Sequence, residues 1–388
     1  MPNVILYAGL GSELTCYRVD AHAGGLRRQG SVTLPAEVQY AVPDRSAGHL
    51  FVASSNRNNE DSPNGAVHHL TTFRIAADTG LLTQVGAPGP LPDRPIHLTA
   101  DGAAAHLLVA FSDPAGLRVY KVNADGTPGE PVPQADPIET GIYPHQVRVT
   151  PDQKQVILVS RGHDPKNGKP EEPGCLKVFD YRNGRLSNEA SIAPNGGFGF
   201  GPRHLDFHPT GPWIYVALER QNRLQVFSRQ NGRVSDQALF TRETLADPAR
   251  RGRRQLVGTV RVHPSGRFVY VANRGDATVE EGGQKVFAGG ENNFAVYRID
   301  AGTGEPALIQ HIDTGGIHCR NFQLDSTGRL LAASHIQPVR MRRDGEVVVV
   351  PPCISLFRVG EDGKLTLLKT HEVAITGRRI FWMGLVEV

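Results

Sequence analysis

Pro202-Arg-His-Leu-Asp-Phe-His-Pro-Thr-Gly-Pro-Trp-Ile-Tyr-Val-Ala-Leu-Glu219, followed by Leu224-Gln-Val-Phe227 and Asn231-Gly232, decides the fold. Arg203 to His208 alternates as a short strand, Pro209-Thr-Gly makes a tight turn, and Trp213 to Leu218 is an apolar second strand. Leu224 to Phe227 is a third, and Asn231-Gly232 turns into a fourth. The next copy matches it position by position: Gly258-Thr-Val-Arg-Val-His263, Pro264-Ser-Gly266, Phe268-Val-Tyr-Val-Ala272, Phe294-Ala-Val-Tyr-Arg-Ile299 and Gly302-Thr-Gly304. Weaker copies occupy 37–80, 94–126, 145–184 and 320–363, so the period is about 45 to 70 residues, the spacing of propeller blades. Two leftover pieces, an N-terminal one with Val4-Ile-Leu-Tyr-Ala-Gly9 and a C-terminal one with Ile380-Phe-Trp-Met383, supply a seventh. The sequence therefore predicts an all-β, seven-bladed β-propeller with four antiparallel strands per blade. It forms a single domain over 1–388, closed by pairing the chain ends in one blade built from about 1–24 plus 364–388. Closure of this kind protects the sheet edges.

Composition agrees. The 388 residues include 43 Gly and 28 Pro, which mark many turns, and 39% hydrophobic against 21% charged residues is ordinary for a globular chain. A net charge of +3 is too small to serve as a general field for nucleic acid or membrane. No partner of either kind is expected, and the oligomeric state is left open. Cys16, Cys175, Cys319 and Cys353 lack CxxC spacing, which argues against a structural zinc site or a disulfide framework. With no signal-like N-terminus and no long apolar run, a cytoplasmic protein is expected.

Blade topology converts sequence positions into places. Strand A lines the channel, so the start of A, the end of B and the B–C loops share one face. Counting back from the A–B turns, one register at the start of strand A holds Glu37, His145, Arg203, Gly258 and Arg320, with Arg94 or His97 filling it in blade two. The end of strand B carries Glu219, Arg274 and, about there, His335. Long insertions at 56–67, 162–174, 275–293 and 336–352, all between B and C, and at 241–257, between D and A, fall on the same face. They predict a walled pocket over a charged channel mouth. His208 and His263 recur with the His-Pro-x-Gly turn of the other face and read as scaffold; His68-His69 and the basic run 250–254 read as surface. A mouth made mainly of Arg and His repels cations and suits anions, so no metal and no cofactor are expected.

Residues 199–211, Gly-Phe-Gly-Pro-Arg-His-Leu-Asp-Phe-His-Pro-Thr-Gly, with Tyr143-Pro-His145 and the 264–275 stretch ending in Asn273-Arg274-Gly275, resemble motifs of the seven-bladed lactonase family. Its members include bacterial 6-phosphogluconolactonases and fungal carboxymuconate-lactonising enzymes. The resemblance covers essentially the whole chain. It departs at Cys319-Arg320-Asn321, where the family tends to have Pro-Arg-Phe, in the insertion after Arg274, and in the ending that starts at Gly377. It implies that His145 and Glu219 handle protons and that Arg203 and Arg274 hold anionic groups.

The expected function is metal-independent hydrolysis of an anionic sugar-acid lactone. Glu219 would be the general base and His145 the proton donor. Arg203 and Arg274 would bind the anion and steady the oxyanion, with Arg320, His204 and His97 completing the substrate site. One alternative is a cycloisomerase that closes a muconolactone-type ring on an unsaturated diacid. Another is a non-catalytic propeller used as a binding platform.

Overall fold

Strand B of blade four shows why these sheets stack as they do: Ile214, Val216 and Leu218 pack toward blade three, while Tyr215 and Ala217 pack toward blade five. A sheet covered on both faces reads as an unbroken apolar run. The same division recurs around the molecule, and seven apolar clusters each fill the gap between two consecutive blades. The computed structural model describes residues 3–44, 46, 48–57, 64–166, 168–250, 254–374 and 379–388. Among them are seven sheets around one axis, six of four strands and one of five. The seven-bladed, four-stranded architecture expected from the repeats is what is found.

The innermost strands, in blade order, are Glu37–Pro43, Pro95–Ala100, Pro144–Val149, Pro202–Phe207, Gln255–Val262, Cys319–Leu324 and, in blade seven, Ile380–Glu387. Blade seven is closed differently from the expectation of 1–24 plus 364–388. The strand Leu365–Glu372 pairs with Cys353–Val359 and is the outer edge of blade six. From the C-terminal end only Ile380–Glu387 enters blade seven, antiparallel to Val4–Leu10, and the N-terminal end adds Glu13–Asp20 and Gly25–Thr33 outside it. The chain ends thus meet as one strand against three.

Each innermost strand carries a β-bulge near its start. A bulge leaves one residue unpaired and re-aims its side chain. The unpaired residues are Gln39, Ile96, His145, Arg203, Arg320 and Phe381, with Gly258 and Thr259 in blade five. This corrects the register twice. Gln39 replaces Glu37 because Pro43 ends the inner strand, as Phe207 does in blade four two positions before the turn residue Pro209, and Ile96 fills the blade-two position instead of Arg94 or His97.

Blades are tied by bonds that repeat with the scaffold. The hydroxyls of Tyr215 and Tyr270 donate to the carbonyls of Gly304 and Gly363 on the following blade at 2.8 and 2.9 Å. Tyr7 does the same to Gly80 at 2.5 Å. His208 and His263 bond the carbonyls of Gly266 and Gly328 at 2.9 Å, the structural role read from their recurrence. Replacing Tyr215 or Tyr270 by Phe strands a buried carbonyl and is expected to cost about 1–3 kcal/mol each. Urea unfolding of the single and double variants checks this, and losses below about 0.5 kcal/mol would show that the bonds do not hold the blades.

Candidate active site

Glu219 ends strand B of blade four, one residue past Trp213–Leu218, and it is 3% exposed. Three guanidiniums from three blades surround it. Arg203, on the bulge of its own blade, places Nε 3.0 Å from Oε1, and Arg274, ending strand B of blade five, donates to the same oxygen. Arg161, just past strand B of blade three, donates to Oε2 at 2.7 Å. Burial raises the Glu219 pKa, but the guanidiniums of Arg161, Arg274 and Arg203 outweigh it and bring it to about 2. Burial, with Arg274 beside it, lowers Arg203 to about 9, still charged at neutral pH. Both carboxylate oxygens are thus committed.

The imidazoles sit next to this cluster. His145 is 7% exposed, its ring centroid is 5.2 Å from that of His204, and His204 Nε2 lies 3.3 Å from an Arg203 amine. Burial, then the fields of Arg203, Arg161, Arg320 and Arg274, hold His145 well below 6.5, so it is neutral at pH 7. His204 is held down by burial and Arg203 in the same way. Arg320 stacks on Phe381 at 3.7 Å, and burial with the neighbouring Arg203 and Arg274 lowers it. Among the described residues, Nδ1 of His145 and of His204, and Nε of Arg161 and of Arg274, have no hydrogen-bond partner. Buried polar atoms left this way usually face a ligand or ordered water.

Glu219, Arg203, Arg274, His145, His204 and Arg320, singled out from sequence, are thus brought together at one end of the channel. His97 is not among them. It lies one ring deeper, 6.2 Å from His204 and tilted against Tyr40 at 4.0 Å, and it lines the cavity at the other end of the axis. His335 also stands apart, bonded to the Cys353 carbonyl and thiol at 3.2 Å.

Arg161 was missed, although it holds in blade three the strand-B position that Glu219 and Arg274 hold in theirs. Tyr143, under the Arg161 guanidinium at 4.4 Å, and His318, 2.9 Å from Arg274 and 3.4 Å from Asp276, were also missed. His318 lies outside every strand, where repeat alignment gives no register.

The insertions do rise between strands B and C on this face. Two contain ribbons, Thr278–Glu281 with Gln284–Phe287 and Val339–Arg343 with Glu346–Val350, joined by an Arg342–Glu281 ion pair. Parts of the 56–67 insertion, of the 250–254 basic run and of the ending from Gly377 lie outside the described residues. A cavity of about 750 Å³ opens at the other end of the axis, not over this cluster. Among the described residues no three His, Cys, Asp or Glu side chains converge as a metal site.

A family model described as "Lactonase, 7-bladed beta-propeller" matches residues 6–345. A 6-phosphogluconolactonase of Bacillus subtilis is 27% identical over 307 residues, 74% of this chain and 78% of the relative. One of Yersinia pestis is 24% identical over 375 residues, 94% and 92% of the two chains. Among solved structures, a periplasmic gluconolactonase of Pseudomonas aeruginosa superposes with a TM-score of 0.71 at 20% identity, covering 99% of both chains. A protein from Lactobacillus plantarum does so at 0.73 and 20%, covering 100% of both.

Glu219→Gln leaves three guanidiniums without their counter-charge and is expected to cost about 3–5 kcal/mol at pH 7. Because the folded pKa is depressed from 4.5 to about 2, Glu219's contribution is full above pH 4.5 and disappears as pH falls toward 2. Urea unfolding of wild type and variant between pH 7 and 2.5 should show the gap closing over that window. Equal stability at pH 7 would remove Glu219 as the anchor.

Proposed function

The chain belongs to the seven-bladed β-propeller lactonase family, and from that premise we propose that it hydrolyses an anionic sugar-acid lactone, 6-phosphogluconolactone-like, at the Arg–His end of the channel. The observation that carries this reading is the excess of positive charge: four guanidiniums, Arg161, Arg203, Arg274 and Arg320, against the single carboxylate of Glu219. Buried cations in excess favour a ligand that brings the missing negative charge, and guanidinium pairs carboxylate or phosphate with two parallel bonds. The same excess supports a reaction without a metal ion, which these cations would repel.

Roles follow from the pairing. Sequence reading made Glu219 the general base. With both oxygens bonded to arginines and a pKa near 2, the carboxylate is a poor acceptor and serves to fix the guanidiniums. His145 takes the proton-handling role. Its imidazole is neutral, and its low basicity stems from burial and four neighbouring guanidiniums. A bound anion offsets that field and restores proton affinity where the reaction needs it. His145 then accepts a proton from water as the water oxygen bonds to the lactone carbonyl carbon. The oxyanion that forms is held by guanidinium N–H groups. Its collapse breaks the ring C–O bond, and the proton on His145 passes to the departing oxygen, giving a hydroxy acid.

The four cysteines, free and buried, support a reducing, cytoplasmic setting for the proposed enzyme. A second reading, ring closure on an unsaturated diacid, draws on the same excess of guanidiniums, which exceeds what one anionic group needs.

Purified protein assayed with a pH indicator should release acid from lactones that carry phosphate or carboxylate. Their kcat/KM should be about 10- to 100-fold above that of neutral lactones of similar size. His145→Gln should lower kcat by about 10²- to 10⁴-fold with KM little changed. Undiminished turnover in that variant removes His145 from the chemistry. Loss of diene absorbance from an unsaturated diacid, with no lactone hydrolysed, selects ring closure.

A further inference from the structure

Arg274 is held at both ends of its guanidinium. It ends strand B of blade five at 4% exposure, Nη2 donates to the Glu219 carboxylate, and Nη1 donates to Nε2 of His318 at 2.9 Å. An imidazole nitrogen that accepts a hydrogen bond must carry a lone pair, so His318 is neutral, with its proton on Nδ1. That nitrogen faces Oδ2 of Asp276 at 3.4 Å. Asp276 in turn is gripped from outside by Arg254, whose Nε and Nη2 donate to Oδ1 and Oδ2 at 3.0 Å each. A line of polar contacts, Arg254–Asp276–His318–Arg274–Glu219, therefore runs from the rim to the buried carboxylate.

Nothing in the repeat supplies His318. It lies between the outer strand of blade five, Pro306–Asp313, and the inner strand of blade six, Cys319–Leu324, with a φ of 60°. Residues other than glycine adopt this left-handed conformation uncommonly, and it persists where the surroundings impose it. Here the His318 N–H donates to the Asn292 side-chain oxygen at 2.7 Å, and the Asn292 amide donates to the carbonyl of Gly275, next to Arg274, at 3.3 Å. The backbone is thus bent so as to bring the ring to Arg274. Burial and the neighbouring Arg274, partly offset by Asp276, lower His318 to about 4, and the ring stays neutral at pH 7.

A second carboxylate in this place would hold Arg274 as firmly and would cancel its charge. A neutral imidazole fixes the guanidinium and leaves that charge in the site, while Arg254 takes up the charge of Asp276 on the far side. With Nη1 and Nη2 both tied, the plane of the guanidinium is set, and so is the direction of its Nε, which has no partner among the described residues. We propose that His318 is a positioning residue for the reaction at the Arg–His end: it sets the guanidinium plane of Arg274, so that the remaining N–H groups meet the oxyanion of an anionic lactone as it forms. This role rests on the hydrolase reading above. Because the oxyanion develops only in the transition state, loss of His318 falls on kcat and leaves KM nearly alone.

Two amide variants separate positioning from packing. Asn tolerates the left-handed backbone better than Gln, yet its side-chain oxygen reaches only as far as Nδ1 of the imidazole, whereas the Gln oxygen reaches the place of Nε2. With 6-phosphogluconolactone as substrate, His318→Asn is expected to lower kcat about 10- to 100-fold with KM changed less than about threefold, and His318→Gln to return kcat to within about threefold of wild type. A purely structural role predicts the opposite order, with the Asn variant at least as active as the Gln variant. Wild-type kcat in His318→Asn, a Gln variant no better than the Asn variant, or a rise in KM alone overturns the proposal. Urea midpoints measured alongside keep folding apart from turnover; if His318→Asn does not fold, a folded His318→Gln with kcat down more than about tenfold overturns the proposal by itself. A wild type that hydrolyses no lactone overturns the hydrolase reading and this role with it, whereas an active wild type with an unaffected His318→Asn variant overturns the role alone.

Discussion

The carboxylate of Glu219 is the constraint on which the Arg–His end of this molecule depends. It is buried, yet three guanidiniums from blades three, four and five converge on its two oxygens. Removing such charges from water costs several kcal/mol per ion, and only near-complete mutual satisfaction offsets it. The three strand ends that carry Arg161, Glu219 and Arg274 are thereby fixed relative to one another. Arg203 is held at 2% exposure, and its position sets that of His204 and, through the ring contact, of His145.

The bulge shared by all seven innermost strands explains how a repeating scaffold makes a non-repeating site. Every blade offers the same re-aimed position, and what differs is the side chain placed there. Blades three, four and six put His145, Arg203 and Arg320 in it, whereas blades two and seven put Ile96 and Phe381. Charge is thus gathered in one sector, and the opposite sector presents an aromatic face on which Arg320 and Arg94 lie at 3.7 and 5.4 Å. Further along the same strands, Arg148 and Asp206 link blades three and four a second time, with the Asp206–Val262 bond continuing to blade five. Two tiers of inter-blade polar contacts therefore surround the axis.

Much of this was legible in the sequence because the fold is a repeat. Self-similarity gave the blade count, the strand order, the scaffold role of His208 and His263, and the convergence of His145, Arg203, Glu219 and Arg274. Errors arose where repetition is broken. Lys364 onward looked like the start of a new blade because a fourth strand and a first strand have the same length and alternation; only pairing reveals that Leu365–Glu372 closes blade six. His97 was placed at the charged end because a one-residue bulge cannot be seen in a single strand; Ile96 holds the bulge position, and the His97 ring lies against Tyr40. Arg161 lay in the register already in use for Glu219 and Arg274. The commitment of both Glu219 oxygens was not legible, because partner geometry is a property of packing.

On the proposed reading, binding and activation are one electrostatic event. Burial first, and then the arginine field, keeps the His145 imidazole neutral and weakly basic, a state that protects it from protonation but leaves it a poor catalyst. A substrate carrying negative charge cancels part of that field at short range and low effective dielectric, where the change is large. The same charge that selects the ligand therefore raises the proton affinity of the base beside it. A neutral lactone gains neither the ion pairing nor the activation, so discrimination enters the rate as well as the affinity. The cavity at the other end of the axis lacks this coupling, since its lining carries Asp44, Asp206, Asp325 and Glu387 against Arg148 and Arg261. On that reading, chemistry belongs to the end where positive charge is left in excess.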